Sequence, residues 1–397
     1  MKNVVIIDAV RTAIGKLGGA LETVRADFLA TAVLEEAVQR AGITKDMVDE
    51  IILGQAKQSS DASNLARVAS LRAGFPVEVP SYTVHRQCGS GVQAINSAAQ
   101  QIQCGLANVV IAGGAESMST APYYMRNIRF GLKSGNGQLL DPNTESQPGS
   151  QPVEDYGRLT MGLTAENLAE KYNISRTEQD EFALRSQENT RNAISSGKFE
   201  TEIVPYQLKT KKGVMEFKID EHPRETSMEK LAKLKPVFKE NGTVTAGNSS
   251  GRNDGASALV LMSEEEAHRL DKTPKARIIA QAASGVSPDY MGIGPVSATL
   301  KALKQADLSL EDIDVIELNE AFSAQSLAVI KQLKLDINKV NPNGGAIALG
   351  HPIGATGAIL ATKALYELER TGKRYGLITL CIAGGLGITS IIENTQI

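Results

Sequence analysis

The chain has 397 residues and a 42% hydrophobic content, enough for about two or three domains with full cores. Its acidic and basic residues nearly cancel to a formal net charge of -3, so no global field favours nucleic acid or an anionic membrane, and neither is expected as a partner. Three scattered cysteines, Cys88, Cys104 and Cys381, are too few for a disulfide framework, and without a Cys-x-x-Cys pair no metal site is expected.

In chain order, a β-branched run at residues 4–7 is predicted as a strand, with no apolar signal segment before it. No stretch reaches the length that crosses a bilayer, and the last residues carry no Ser-Lys-Leu address, so a soluble cytoplasmic protein is expected. Helical spacing covers residues 30–40, and a strand is predicted at 50–53. Ser81–Val84 is a further strand, and Val92, Ile95, Ala99 and Ile102 fall at helical spacing behind it. Cys88 therefore occupies a strand-to-helix turn, where unpaired N–H groups and the helix dipole favour thiolate and Gly89 and Gly91 permit a sharp bend. Taken by itself, the segment fits a small buried cysteine better than a nucleophile.

Residues 109–112 form another apolar strand, and Gly, Asn, Gln, Pro and Ser then dominate 131–155, which is expected to be loop. Ser175 and Glu178 make a capping box that should start a helix. The strand and helix alternation resumes after about residue 270, and it repeats. Residues 41–56 align without gaps on 306–321, keeping Ala41/Ala306, Asp49/Asp314, Ile51/Ile316, Leu53/Leu318 and Ala56/Ala321. Ile111-Ala112-Gly113-Gly114 recurs as Ile382-Ala383-Gly384-Gly385. Two fused, similar halves of an α/β fold are expected, with an insertion in the first.

His351 lies 263 residues after Cys88, close to the repeat offset of 265, so the duplication sets an imidazole where its sister half has a thiol. Its glycine-rich approach, residues 340–350, again leads into a helical pattern through Ile359, Leu360 and Leu365. Cys381 ends an apolar strand before Gly384 and Gly385, a place for a proton carrier or for a core residue. His222 and His268 sit in charged surroundings and are expected on the surface, while Cys104 is expected to be structural. Gly247-Asn248-Ser249-Ser250-Gly251 matches Gly-x-Ser-x-Gly but lacks the strand-to-helix setting of a hydrolase elbow. Neither a phosphate-binding Gly-Lys-Ser/Thr loop nor a dinucleotide fingerprint is present.

These motifs resemble the thiolases from end to end. The matches are Cys88-Gly89-Ser90-Gly91, Gly113–Ser119, Met161–Asn167, Thr245–Gly251, Asn319-Glu320-Ala321-Phe322, the stretch around His351, and Cys381–Gly385. The resemblance implies two duplicated βαβαβαββ halves in an α-β-α-β-α layering: residues 1–119 with 247–270 as the first half, 120–246 as an inserted loop domain or lid, and 271–397 as the second half. It implies Claisen condensation of two acetyl-CoA to acetoacetyl-CoA and CoA, or the reverse thiolysis. Cys88 would be the nucleophile, His351 would accept its proton and Cys381 would carry the α-proton. One oxyanion hole would use His351 and a water on Asn319, the other the N–H groups of Cys88 and Ala383.

By the same resemblance, Ser250 and Arg224 would hold CoA, aided by Lys230, Lys233 and Lys235, and Met161, Met291 and Phe322 would line the acyl pocket. Coenzyme A thioesters are then substrates, no cofactor is permanently bound, and a homodimer or homotetramer is expected. The chain departs from many thiolases at His85, Thr160, Arg252 and Ala383. Thr160, with Arg86-Gln87-Cys88, points toward degradative 3-ketoacyl-CoA thiolases of broader chain length. A catalytically silent acyl-CoA or lipid carrier on the same fold, and a cysteine peroxide sensor, are the alternatives of another class.

Overall fold

Val4, Val5, Ile6 and Ile7 leave no polar face for water, and the strand they begin is buried from both sides. The computed structural model describes residues 2–211 and 213–397. Strand β1 runs Val4–Thr12, well beyond the predicted 4–7, with an irregularity between Ile6 and Asp8. Helix α1 (Ala26–Ala41) starts a turn before its predicted residue 30 and ends at Gly42, whose φ of 61° suits glycine. Next come β2 (Glu50–Gly54), α2 (Leu65–Arg72), β3 (Ser81–Val84), α3 (Ser90–Gln103) and β4 (Val109–Ser117). The first half closes with β7 (Asn253–Ser263), after an insertion that carries helices α4 (Met161–Lys171), α5 (Arg176–Ser195) and α6 (Met228–Ala232) and hairpin β5 (Tyr206–Thr210) and β6 (Gly213–Phe217).

The second half follows the same order: β8 (Ala276–Gly285), α7 (Gly294–Ala306), β9 (Val315–Leu318), α8 (Ser323–Leu333), α9 (Ile353–Thr371), β10 (Tyr375–Ile382) and β11 (Leu386–Asn394). Its third strand is reduced to one bridge between Ile316 and Val340, because Asn341-Pro342-Asn343-Gly344 offers neither strand-forming side chains nor, at proline, a donor. The hydrogen-bonded order β9-β10-β11-β8-β1-β7-β4-β2-β3 is symmetric about the antiparallel pair β1/β8, where Val5 faces Arg277. Helices α1 and α2 cover the outer face of the first half, α7 and α8 that of the second, and α3 and α9 lie between the two. The layering is α-β-α-β-α.

Duplication alone does not bring two helix starts together; close packing does. A Cβ on Gly91 would stand 2.6 Å from the Ala358 nitrogen, and one on Gly357 would stand 2.4 Å from that of Val92. The backbones of α3 and α9 therefore touch, which sets the turns before both helices side by side.

In the insertion, Ser175 and Glu178 form the predicted capping box, with Ser175 N donating to Glu178 Oε2 at 2.7 Å. The stretch 131–155, expected as loop, contains single turns at Pro142–Glu145, Pro148–Ser150 and Val153–Tyr156, started at proline or just after it. Fully buried Arg11 on β1 ties the insertion down, donating to Glu202 at 2.6 Å and to Asp220 at 2.8 and 3.0 Å. Arg11→Ala would strand two buried carboxylates and is expected to cost about 3–5 kcal/mol, read as a lowered denaturation midpoint. The exposed pair Arg374–Glu393 is the control, and its loss should cost under about 1 kcal/mol. Among the described residues, no helix is long and apolar enough to cross a membrane.

Candidate active site

Cys88 stands between β3 and α3, as its spacing predicted. The turn is built by Gln87 at a φ of 45°, by Ser90 Oγ donating to Gln87 O at 2.7 Å, and by Arg86 N donating to Ser90 Oγ at 2.9 Å. A Cβ on Gly89 would meet Ile382 Cδ1 at 2.4 Å, so the second half's β10 presses directly on the turn. Cys88 is 8% exposed. Burial pushes its thiol pKa up, opposed by backbone N–H groups of Ala383 and of Cys88 itself and by the Lys57 charge.

His351 is held in one orientation. Its backbone N donates to Asn253 Oδ1 at 2.9 Å, and its Nδ1 lies 2.6 Å from Thr356 Oγ1. The Thr356 hydroxyl spends its proton on Pro352 O at 2.9 Å and so accepts from Nδ1–H, which leaves Nε2 unprotonated. Asn319 Nδ2 approaches that Nε2 at 3.5 Å, while its buried Oδ1 has no partner in the protein. Burial first, and then the Lys57 charge, lowers the His351 pKa from 6.5 to about 4.

Cys381 is fully buried at the end of β10, where burial raises its pKa and the Cys88 charge raises it further. It packs with Met161, Phe238, Met291 and Phe322. Gly384 and Gly385 follow with φ of 90° and 82°, whereas Ala383 keeps an ordinary negative φ, so an alanine replaces glycine there without backbone strain.

A cavity of about 180 Å³ joins Cys88 to His351, while Cys381 does not line it and lies buried among the side chains of its apolar wall. Cys88, His351 and Ala383 line it together with Ser250, Met161, Met291 and Phe322, and Asn319 reaches it through His351. Ser250 is held against Phe322 because its N donates to Ala321 O at 3.0 Å beside the Ser249/Phe322 bridge. Arg224 lies elsewhere, in a groove of about 270 Å³ with Arg191 and Thr226, donating to Ala246 O at 3.0 Å. Lys230, Lys233 and Lys235 are exposed and line neither space, and Lys233 pairs with Glu229.

His222 is not the surface group its charged neighbours suggested. It is half-buried beneath Gly251, whose added Cβ would meet the imidazole at 2.3 Å, and burial lowers its pKa to about 4. His268 is exposed. Cys104, expected to be structural, is exposed at the end of α3. Thr160 caps α4, accepting from Leu163 N at 3.4 Å.

Sequence reasoning passed over Phe238, Lys57 and Glu116. Phe238 meets Phe322 edge-on at 6.0 Å and closes the apolar wall. Lys57 lines the same cavity. Buried Glu116 accepts from Ala56 N at 2.9 Å, Lys57 N at 3.0 Å and Gly354 N at 2.9 Å, fastening the Lys57 loop to the start of α9. Only the Gly113–Ser119 motif signalled Glu116; nothing local signalled Lys57.

Known proteins agree with this architecture. Residues 4–265 match the model of the thiolase N-terminal domain, and residues 272–394 that of the thiolase C-terminal domain. An acetyl-CoA acetyltransferase of Pseudomonas aeruginosa is 49% identical, with 98% of each chain covered. The crystal structure of the Bacillus anthracis acetyl-CoA acetyltransferase is similar at a TM-score of 0.97 and 50% identity, covering 99% of both chains. Human mitochondrial 3-ketoacyl-CoA thiolase in complex with CoA gives a TM-score of 0.94 and 44% identity, over 99% of this chain and 98% of that one. With both domain models matched in order over nearly its whole length, the chain belongs to the thiolase family.

Proposed function

We propose that the chain is an acetyl-CoA C-acetyltransferase, condensing two acetyl-CoA to acetoacetyl-CoA and CoA, and reversing that reaction, through an acyl group on Cys88. The observation that carries this reading is a single cavity presenting a sulfur at a helix start, an unprotonated imidazole nitrogen and the Ala383 N–H. His351 Nε2 takes the Cys88 proton as the sulfur attacks the thioester carbonyl, and passes it to the CoA sulfur as the bond between the acyl carbon and CoA breaks. The N–H groups of Cys88 and Ala383 receive the developing oxyanion. Cys381, its own proton passed to His351 Nε2, then removes an α-proton from the second acetyl-CoA, whose enolate oxygen is held by that Nε2–H and by a water on Asn319; the carbanion attacks the acyl carbon, and the Cys88 sulfur it displaces takes the proton back from His351.

The full-length acetyl-CoA acetyltransferase relatives support this reaction, and the CoA-bound relative supports CoA thioesters as substrates. No permanently bound cofactor enters the scheme. Ser250 faces the pantetheine arm and Arg224 the nucleotide end. Longer 3-ketoacyl-CoA chains are the second reading, supported by Thr160 and by the 44% identity to the human 3-ketoacyl-CoA thiolase. The setting is a cytoplasmic homodimer or homotetramer, and the exposed apolar side chains Phe130 and Leu139 of the insertion support the tetramer.

The pH dependence of acetoacetyl-CoA thiolysis tests the reading. A base must be neutral, and with its pKa at about 4, His351 stays neutral well below the ordinary imidazole value of 6.5. The expected kcat/KM shows no loss through pH 6.5 and an acid limb that approaches 4. An acid limb at 6.5 would remove His351 from this role, and absence of acetoacetyl-CoA cleavage would remove the reading.

A further inference from the structure

Strand β2 ends between the two helix starts that form the site. A Cβ on Gly54 would stand 2.5 Å from Ser90 C and 2.7 Å from Gly91 N, just after Cys88, and one on Gly354, just after His351, would stand 2.6 Å from Gln55 Cα. Ala56 N and Lys57 N then donate to the Glu116 carboxylate at 2.9 and 3.0 Å, and Gly354 N donates to the same carboxylate at 2.9 Å. The chain thus passes the start of α3, then that of α9, and delivers Lys57 to the wall of the cavity that Cys88 and His351 line.

Lys57 is 6% exposed, a costly place for an ammonium without a counter-charge. Its Nζ donates to Ser146 Oγ, a neutral partner. The carboxylates whose charges reach it are committed elsewhere: Glu116 to the three N–H groups, and Asp141 to Asn143 N at 2.8 Å, Thr144 Oγ1 at 3.0 Å and Arg252 at 3.5 Å. That leaves the Cys88 sulfur, whose negative charge favours the Lys57 ammonium and is favoured by it in turn. The other groups facing the pair act against it or beside it. Glu116 and Cys381 oppose charge on the Cys88 sulfur, Arg252 opposes the ammonium, and His85 and His351 are held neutral by burial and by the ammonium.

We propose that Lys57 is the counter-ion of the Cys88 thiolate, a positioning charge that serves the sulfur both when it attacks the thioester and when it is displaced from the acyl carbon. Its part in turnover rests on the thiolase reading of Cys88. Lys57 takes no proton from the sulfur, which gives it to His351. Because the same ammonium repels an imidazolium, one fixed charge favours the two reactive forms, thiolate and neutral imidazole, over a thiol beside an imidazolium.

The test is alkylation by iodoacetamide, an uncharged reagent, with Cys88 and Cys104 followed separately by peptide mass spectrometry. Exposed Cys104 is the internal reference. Lys57→Met should lower the Cys88-to-Cys104 rate ratio at pH 7 about 10-fold, the scale on which one nearby charge moves an ionisation. Lys57→Gln, which keeps a donor for Ser146 without the charge, should do the same, and Lys57→Arg, which keeps the charge, should recover most of the ratio. In Lys57→Met the acid limb of acetoacetyl-CoA thiolysis should also move to higher pH, because His351 loses the same repulsion. Thermal unfolding of each variant confirms that it is folded. A ratio unmoved by Lys57→Met and Lys57→Gln, or lowered as much by Lys57→Arg, would overturn the assignment. Cleavage of acetoacetyl-CoA by the parent is assayed alongside: its absence removes the thiolase reading, whereas the alkylation ratios decide the counter-ion by themselves.

Discussion

Cys88→Ala is expected to lower acetoacetyl-CoA thiolysis by about 10⁴-fold or more, because it removes the atom that carries the acyl group and nothing else in the cavity can replace it. Cys381 is fully buried behind the cavity wall and held protonated, so it is a poor substitute nucleophile. The loss should fall on kcat with little change in substrate affinity, since Ser250 and the apolar wall are untouched. Mass spectrometry of the parent enzyme after acetyl-CoA should show one added acetyl group, absent from the variant. Cys104→Ala, on an exposed residue at the far end of α3, is the matched control and should keep turnover within about twofold. Retained turnover in Cys88→Ala would place the nucleophile elsewhere.

The location of that sulfur was legible because two independent signals met on it. Local spacing put Cys88 between a strand and a helix, and the offset of the internal repeat put His351 in the matching turn of the second half. What brings the turns together is the crossing of α3 and α9 at Gly91 and Gly357, and two glycines in glycine-rich motifs announce no crossing by themselves. Strand β7 stayed hidden for a different reason. Asn253-Asp254-Gly255 has the composition of a turn, yet these residues are buried because Asn253 bonds Gly15 O and His351 N, and Asp254 accepts from Ser119. Their polar groups are satisfied only by segments remote in sequence. Lys57 is the extreme case: its burial depends on Glu116, on Ser146 in the insertion and on the second half at Gly354. The three- and four-residue turns of the insertion escaped notice because single turns have no apolar period to detect.

Cys381→Ala separates the two halves of the reaction. Burial keeps the Cys381 thiol protonated, and negative charge on Cys88 adds to that effect. An acylated Cys88 carries no such charge, so the Cys381 thiol is easier to deprotonate with the first acetyl group in place than beside a Cys88 thiolate. In the variant, Cys88, His351 and the Ala383 N–H remain, so acetyl transfer from acetyl-CoA to the enzyme and back to labelled CoA should persist. Condensation, and exchange of the acetyl-CoA methyl protons with heavy water, should fall about 10³-fold, the scale of a lost general base. If label exchange into CoA collapses along with condensation, Cys381 acts in the acylation step as well, and the division of labour between the two cysteines is wrong.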